Sequence, residues 1–230
     1  MQYAFEIWKS FIIAFSALLP LINPLGSALV FLGLVGNAPA DDYRILARKI
    51  AVNSVIFLLI IELLGSAILH FFGISLSIVQ VAGGLVLASM GWSVLNQAEP
   101  APVTLDKSAG IEANTDLRLR GLQQKAFYPF TFPITSGPGT LVVMLTLATR
   151  GSGGGLTLNL LRHSGLFLAI VILSATVYVC YANAPRLTRA VPPATAHGIL
   201  RVVAFILMCI GVQIAWNGLS VLLLTVLRHR

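Results

Sequence analysis

Pro20-Leu21-Ile22-Asn23-Pro24-Leu25-Gly26-Ser27 lies inside an apolar run from Phe11 to Val35, and Phe132-Pro133-Ile134-Thr135-Ser136-Gly137-Pro138-Gly139-Thr140 lies inside a second such run. Runs of that length read as membrane-spanning helices. A proline within one removes a backbone donor and clashes with the preceding turn, while glycine adds conformational freedom. Both stretches therefore predict a helix that stops and restarts. Asn followed by Pro is a helix-start pattern, with Asn23 as cap and Pro24 in the first helical position. Gly137-Pro138 predicts the same for the second run, where Thr135 and Ser136 add hydroxyls. In hydrocarbon an unpaired backbone group is costly, so irregular chain at this depth is expected only where it is buried or lines a wet cavity.

Working outward, the 230 residues are 57% hydrophobic and 10% charged, with a mean hydropathy of +0.89. An ordinary soluble domain carries about 25% charged residues, so that class is excluded. The net charge of +7 comes from cations that sit almost entirely between the apolar runs. They read as topology signals and not as a nucleic-acid surface. Cys180 and Cys209 both fall within apolar runs and predict buried thiols, not a disulfide or a metal site. The first run is too long for a signal-peptide core and follows a single cation, Lys9, so it is expected to remain as helix 1.

The pattern predicts an all-α polytopic membrane protein with six transmembrane helices, at roughly 11 to 36, 49 to 72, 74 to 95, 126 to 149, 164 to 184 and 199 to 227. Asn37 to Arg48 reads as a polar loop. Residues 96–125 carry Pro100, Pro102 and eight charged side chains with few bulky apolar groups, and read as a mobile cytoplasmic linker. Arg150-Gly151-Ser152-Gly153-Gly154-Gly155 reads as a flexible connection and lacks the spacing and Lys of a phosphate loop. Six spans place both termini on one face with five Lys and Arg, against ten on the other. That difference predicts both termini in the periplasm.

Residues 1–95 and 126–230 each hold three spans with the interrupted one first. Pro24 matches Pro138 and Arg48 matches Arg162 at an offset of 114, and Leu85 to Gly91 matches Phe205 to Gly211 at an offset of 120. Three is odd, so the halves insert with opposite orientation. Inverted repeats with discontinuous helices 1 and 4 predict a transporter site at the bilayer midplane. The expected substrate-binding residues are Asn23, Pro24, Gly26, Ser27, Thr135, Ser136, Gly137, Gly139 and Thr140. Free amides at each restart, around Gly26 and Ser27 in helix 1, would hold a carboxylate. Carbonyls near Pro20 to Ile22 and Thr131 to Pro133 would hold an ammonium group, so a small zwitterion fits both ends. Simple kinks, with hydroxyls that only cap helices, are the competing reading.

Asn23-Pro24-Leu25-Gly26, Ala82-Gly83-Gly84, Phe132 to Thr140 and Gly211-Val212-Gln213 together resemble the MarC/SnatA family of bacterial and archaeal membrane proteins, over nearly the whole chain. The resemblance implies a six-span inner-membrane transporter or exporter of small neutral amino acids such as alanine or glycine, with coupling to protons or Na+ and no bound cofactor. It also adds Gln213 to the site residues; from the residues alone, Gln80 and Gln213 read as hydrogen-bonding between helices.

Glu62 is the one carboxylate deep within a span. It must be protonated, paired or facing water, and reads as a proton relay or as a structural carboxyl. His70, His163 and His197 fall near membrane boundaries, and no metal site is expected. Trp8, Trp92 and Trp216 read as interfacial anchors, and Gly84, Ala88 and Gly91 as small residues that let helices approach. Partners are the lipid bilayer and the substrate; homo-oligomerisation is left open. A passive channel for water or small polar solutes is the alternative, because paired half-helix starts also occur in pores. No nucleophile–base or paired-carboxylate arrangement within the spans suggests an enzyme.

Overall fold

The computed structural model describes residues 2–36, 38–96, 115–149, 155–186 and 193–228. Among them the fold is entirely helical: α1 (Gln2–Ile22), α2 (Pro24–Val35), α3 (Ala40–Phe71), α4 (Leu76–Asn96), α5 (Thr115–Gln124), a π-helical segment (Ala126–Thr135), α6 (Pro138–Thr149), α7 (Leu156–Ala182) and α8 (Pro193–Arg228). Among the described residues five stretches are long and apolar enough to cross a membrane, and the π segment with α6 makes a sixth when that bent pair is counted as one span.

The helices are longer than the apolar runs that reveal them. Helix α3 starts at Ala40 and not near residue 49, which leaves little of the expected Asn37 to Arg48 loop. Asp41 and Asp42 occupy its first turn, where the helix's positive end favours carboxylates. Tyr43, Leu46, Ala47 and Ile50 then bury at helical spacing. Likewise α1 begins at Gln2, α7 at Leu156 and α8 at Pro193. Apolar content marks the hydrocarbon thickness, whereas backbone hydrogen bonding carries each helix on into the polar zone. The expected linker is partly helical too, since Thr115–Gln124 forms α5. Residues 97–114 of that linker and residues 150–154 of the glycine-rich connection lie outside the described residues.

The core is built by α1, α2, α3, the π segment, α6 and α7. Leu18, Phe31, Tyr43, Leu58, Phe130, Met144, Ile170, Leu173 and Tyr181 are all fully buried within it. Large apolar side chains also cover the outside, among them Leu63, Leu64 and Phe71 of α3 and Val202, Phe205, Val212 and Leu224 of α8. A water-facing surface of this kind would aggregate. Facing lipid, it is the ordinary exterior of an integral membrane protein.

Helices α4 and α8 pack chiefly on each other. A Cβ on Gly84 would lie 2.4 Å from the Ala215 amide and 2.6 Å from the Gly211 carbonyl, and one on Gly211 would lie 2.7 Å from the Gly84 carbonyl. Further along, Gly91 meets the Ala204 carbonyl at 2.7 Å and Gly218 meets the Ser77 carbonyl at 2.5 Å. The helices therefore run antiparallel with backbones in contact, as small residues permit in lipid. Each contributes two glycines seven apart, Gly84 and Gly91 from α4 and Gly211 and Gly218 from α8.

Candidate functional site

The two Pro-Gly stretches fold differently. At Asn23 the backbone turns left-handed (φ 41°), and its side-chain oxygen accepts from the Gly26 amide at 3.1 Å. Asparagine tolerates this conformation because its short polar side chain bonds locally, and Pro24 takes the first helical position. The backbone ladder resumes at once: the Asn23 amide reaches the Leu19 carbonyl and the Ser27 amide reaches the Asn23 carbonyl, both at 2.9 Å. Tyr3–Leu32 consequently continues as a single span with a one-residue interruption. The expectation of free donors at Gly26 and Ser27 is corrected here, because Asn23 itself takes both amides.

The second stretch is a true corner. Tyr128 and Phe132 leave helical geometry (φ −117° and −121°) because each precedes a proline, which pushes its backbone to the extended region. The π segment and α6 then meet at 71°. Thr131 and Thr135 each return a hydroxyl to the carbonyl five residues back, at 2.8 and 2.7 Å, and the Ser136 amide reaches the Thr131 carbonyl at 2.8 Å. Gly137 has no side chain, so it cannot cap α6 as Asn23 caps α2. A Cβ on Gly137 would approach the Pro133 carbonyl at 3.1 Å, and one on Gly139 would strike Leu87. The corner thus needs glycine where α4 packs against it.

Tyr181, from α7, joins the two stretches, a role that sequence reasoning missed. Its ring is fully buried, stacked on Phe31 of α2 at 4.5 Å between centroids, and Phe31 in turn meets Phe130 of the π segment edge-on at 5.4 Å. The Tyr181 hydroxyl lies 2.8 Å from Thr135 Oγ1 and beside Ser27. Thr135 spends its only hydroxyl hydrogen on the Phe130 carbonyl, so the phenol is the donor to Thr135. Ser27 similarly donates to the Asn23 carbonyl at 2.9 Å. The available signal was a tyrosine inside an apolar span and away from its interfacial ends.

The hydroxyls of Ser136 (0% exposed) and Thr140 (1%) have no hydrogen-bond partner among the described residues, and neither do the Ser54 hydroxyl of α3 and the Asn159 side-chain oxygen of α7. Unpartnered buried hydroxyls are uncommon, and each calls for an explanation. Ser136 and Thr140 flank the start of α6, where Gly139 and Thr140 supply the first amides after Pro138.

Other expected residues lie elsewhere. Gln213 is on the exposed face of α8, bonded to Asn217 at 2.9 Å, and is not brought to the two stretches. Gln80 bonds Thr146 across α4 and α6 at 3.2 Å. Glu62 is buried on α3 with its carboxylate 3.0 Å from His163 Nδ1 of α7, a pairing the sequence reading did not make. Cys180 and Cys209 are free thiols, Cys209 exposed where burial was expected. No cluster of three or more metal-ligating side chains occurs among the described residues.

The sequence signature of the family described as MarC family integral membrane protein matches residues 8–223. The chain is 27% identical over 219 residues to the inner membrane protein MarC of Salmonella typhimurium, covering 93% of this chain and 95% of that one. It is 27% identical over 226 residues to its namesake in Citrobacter koseri, with the same coverage, and 25% identical over 217 residues to that of Escherichia coli O1:K1, covering 93% and 96%. No solved structure matches the chain. With that match along nearly its whole length and a lipid-facing helical fold, the chain belongs to the MarC family of integral membrane proteins.

Proposed function

We propose that the chain is an inner-membrane secondary transporter or exporter of small neutral amino acids, alanine- or glycine-like, bound at the corner between the π segment and α6 and working by alternating access. One observation carries this reading: two buried hydroxyls, Ser136 and Thr140, have no partner among the described residues, at a helix start where Gly137 offers no side-chain cap. A substrate carboxylate would take the amides of Gly139 and Thr140 together with these hydroxyls, since helix N-termini favour anions. The ammonium group would take carbonyls on the π-segment side, where Pro133 lies. Asn23, Pro24, Gly26 and Ser27 serve as the opposing wall, tied to the corner through Tyr181.

The inverted repeat belongs to this reading and draws support from the packing. Exchanging the halves maps α1–α2 onto the π segment and α6, α3 onto α7 and α4 onto α8. Most of the main contacts map onto one another: α1 and α2 on α7 with the π segment and α6 on α3, α3 on α7 with itself, and α4 on α8 with itself; the packing of α4 on α6 has no comparable counterpart between α8 and α2. The repeats interlock, since Gly165 of α7 lies against the Ile7 carbonyl of α1 (2.5 Å from a Cβ there). Rigid rocking of one repeat on the other is therefore replaced by opening at the corner. Both termini remain assigned to the periplasm and residues 96–125 to the cytoplasm.

Reconstituted protein is expected to carry L-alanine saturably, with acceleration by alanine on the opposite side. Unsaturable flux, or flux of water and glycerol without alanine counterflow, would instead establish the channel reading.

A further inference from the structure

Glu62 lies on α3 and His163 on α7, the middle spans of the two halves, and these helices pack on each other directly. The Glu62 side chain is 2% exposed, whereas that of His163 is 39% exposed. Its Nδ1 faces the carboxylate at 3.0 Å, which leaves Nε2 as the ring nitrogen free to turn toward the more accessible side. An ionised carboxylate alone in the hydrocarbon is costly. With the imidazole beside it, the pair can hold one proton as a unit of zero net charge, either as imidazolium and carboxylate or as neutral imidazole and carboxylic acid.

The surroundings leave the pair to itself. Helix α6, which packs on α3 at this level through Leu145 against Gly65, contains no ionisable residue. The π segment offers only Tyr128, which is exposed, and it meets α3 nearer Phe57. Arg120 of α5 and Lys125 after it precede the π segment, and Asp41, Asp42, Arg44, Arg48, Lys49 and His70 are at the two ends of α3. On α7, Arg162 next to His163 lines a small pocket with Glu6 and Lys9 of α1.

We propose that Glu62 and His163 form an intramembrane proton-binding site, reached from solution through the imidazole, whose loading couples proton movement to opening at the corner that packs on α3. The proton enters on Nε2, and the Nδ1 proton passes to the Glu62 carboxylate, so that one proton is gained and none is lost within the pair. Unloaded, the pair carries a full negative charge that needs water; loaded, it is neutral and can close against apolar neighbours. The coupling rests on the transport reading, whereas the proton site does not.

The test uses the full chain in liposomes that trap the pH dye pyranine, driven by an L-alanine gradient. Wild-type protein is expected to move protons with alanine, and Glu62→Gln and His163→Asn to lose proton movement while retaining alanine exchange. Alanine flux in the wild type without proton movement overturns the proposal and leaves the transport reading standing. Infrared difference spectra across about pH 5 to 9 read the pair with no substrate present. A carboxylic-acid C=O band that titrates, vanishes in Glu62→Gln and shifts its midpoint in His163→Asn supports the proton site even if alanine is not carried. Spectra identical in wild type and Glu62→Gln overturn it.

Discussion

The Asn23 and Gly137 restarts look alike in sequence, each a Pro-containing helix start inside an apolar run, yet only one leaves its polar groups unsatisfied. At Asn23 a side chain fills the gap made by proline: it caps Gly26, its carbonyl takes Ser27, and the span runs on as Tyr3–Leu32. At Gly137 no side chain is available, the chain bends by 71°, and Ser136 and Thr140 are buried without partners among the described residues. A helix start that caps itself is a structural joint. One that does not leaves its first amides and nearby hydroxyls open, which is the basis of the proposed site. In the proposed transporter the first restart would supply a wall and the second the contacts.

Substitutions test this contrast, and their expected effects on stability fall in a definite order. Asn23→Ala removes the cap and places a Cβ residue in a left-handed backbone, for a loss of about 2 kcal/mol, read as a lower melting temperature in detergent. Thr135→Val and Tyr181→Phe each remove the bond that ties the corner to α7, at about 1 kcal/mol apiece. The double variant should cost less than their sum, because they share one interaction. Asn23→Gly keeps the backbone and loses only the side-chain oxygen, so it should cost a few tenths of a kcal/mol. Ser136→Ala and Thr140→Val should leave stability unchanged or slightly raised, since removing a buried unpartnered hydroxyl relieves a desolvation cost. A large loss of stability at Ser136 or Thr140 would mean that those hydroxyls are part of the scaffold.

Local chemistry was legible in the sequence and long-range pairing was not. Asn23-Pro24 announces its cap because every participant lies within four residues, and Gly84 and Gly91 announce close helix packing because only small residues allow it. Tyr181 meets Thr135 across 46 residues and His163 meets Glu62 across 101. An apolar run carries no register that would foretell either contact. Gln213 illustrates the same limit: α8 is apolar around most of its circumference, so nothing in its pattern says that this face turns outward. The expectation of donors at Gly26 and Ser27 failed for a different reason. Asn23 was read as a cap, but the two amides it consumes were not subtracted from those offered to a ligand.

The most direct test is thermal stabilisation of the purified protein by L-alanine, compared between wild type, Asn23→Gly and the Ser136→Ala, Thr140→Val double variant. Alanine is expected to raise the melting temperature of the first two and to have no effect on the double variant. Stabilisation that survives in the double variant but disappears in Asn23→Gly would contradict the assignment of the ligand to the second restart.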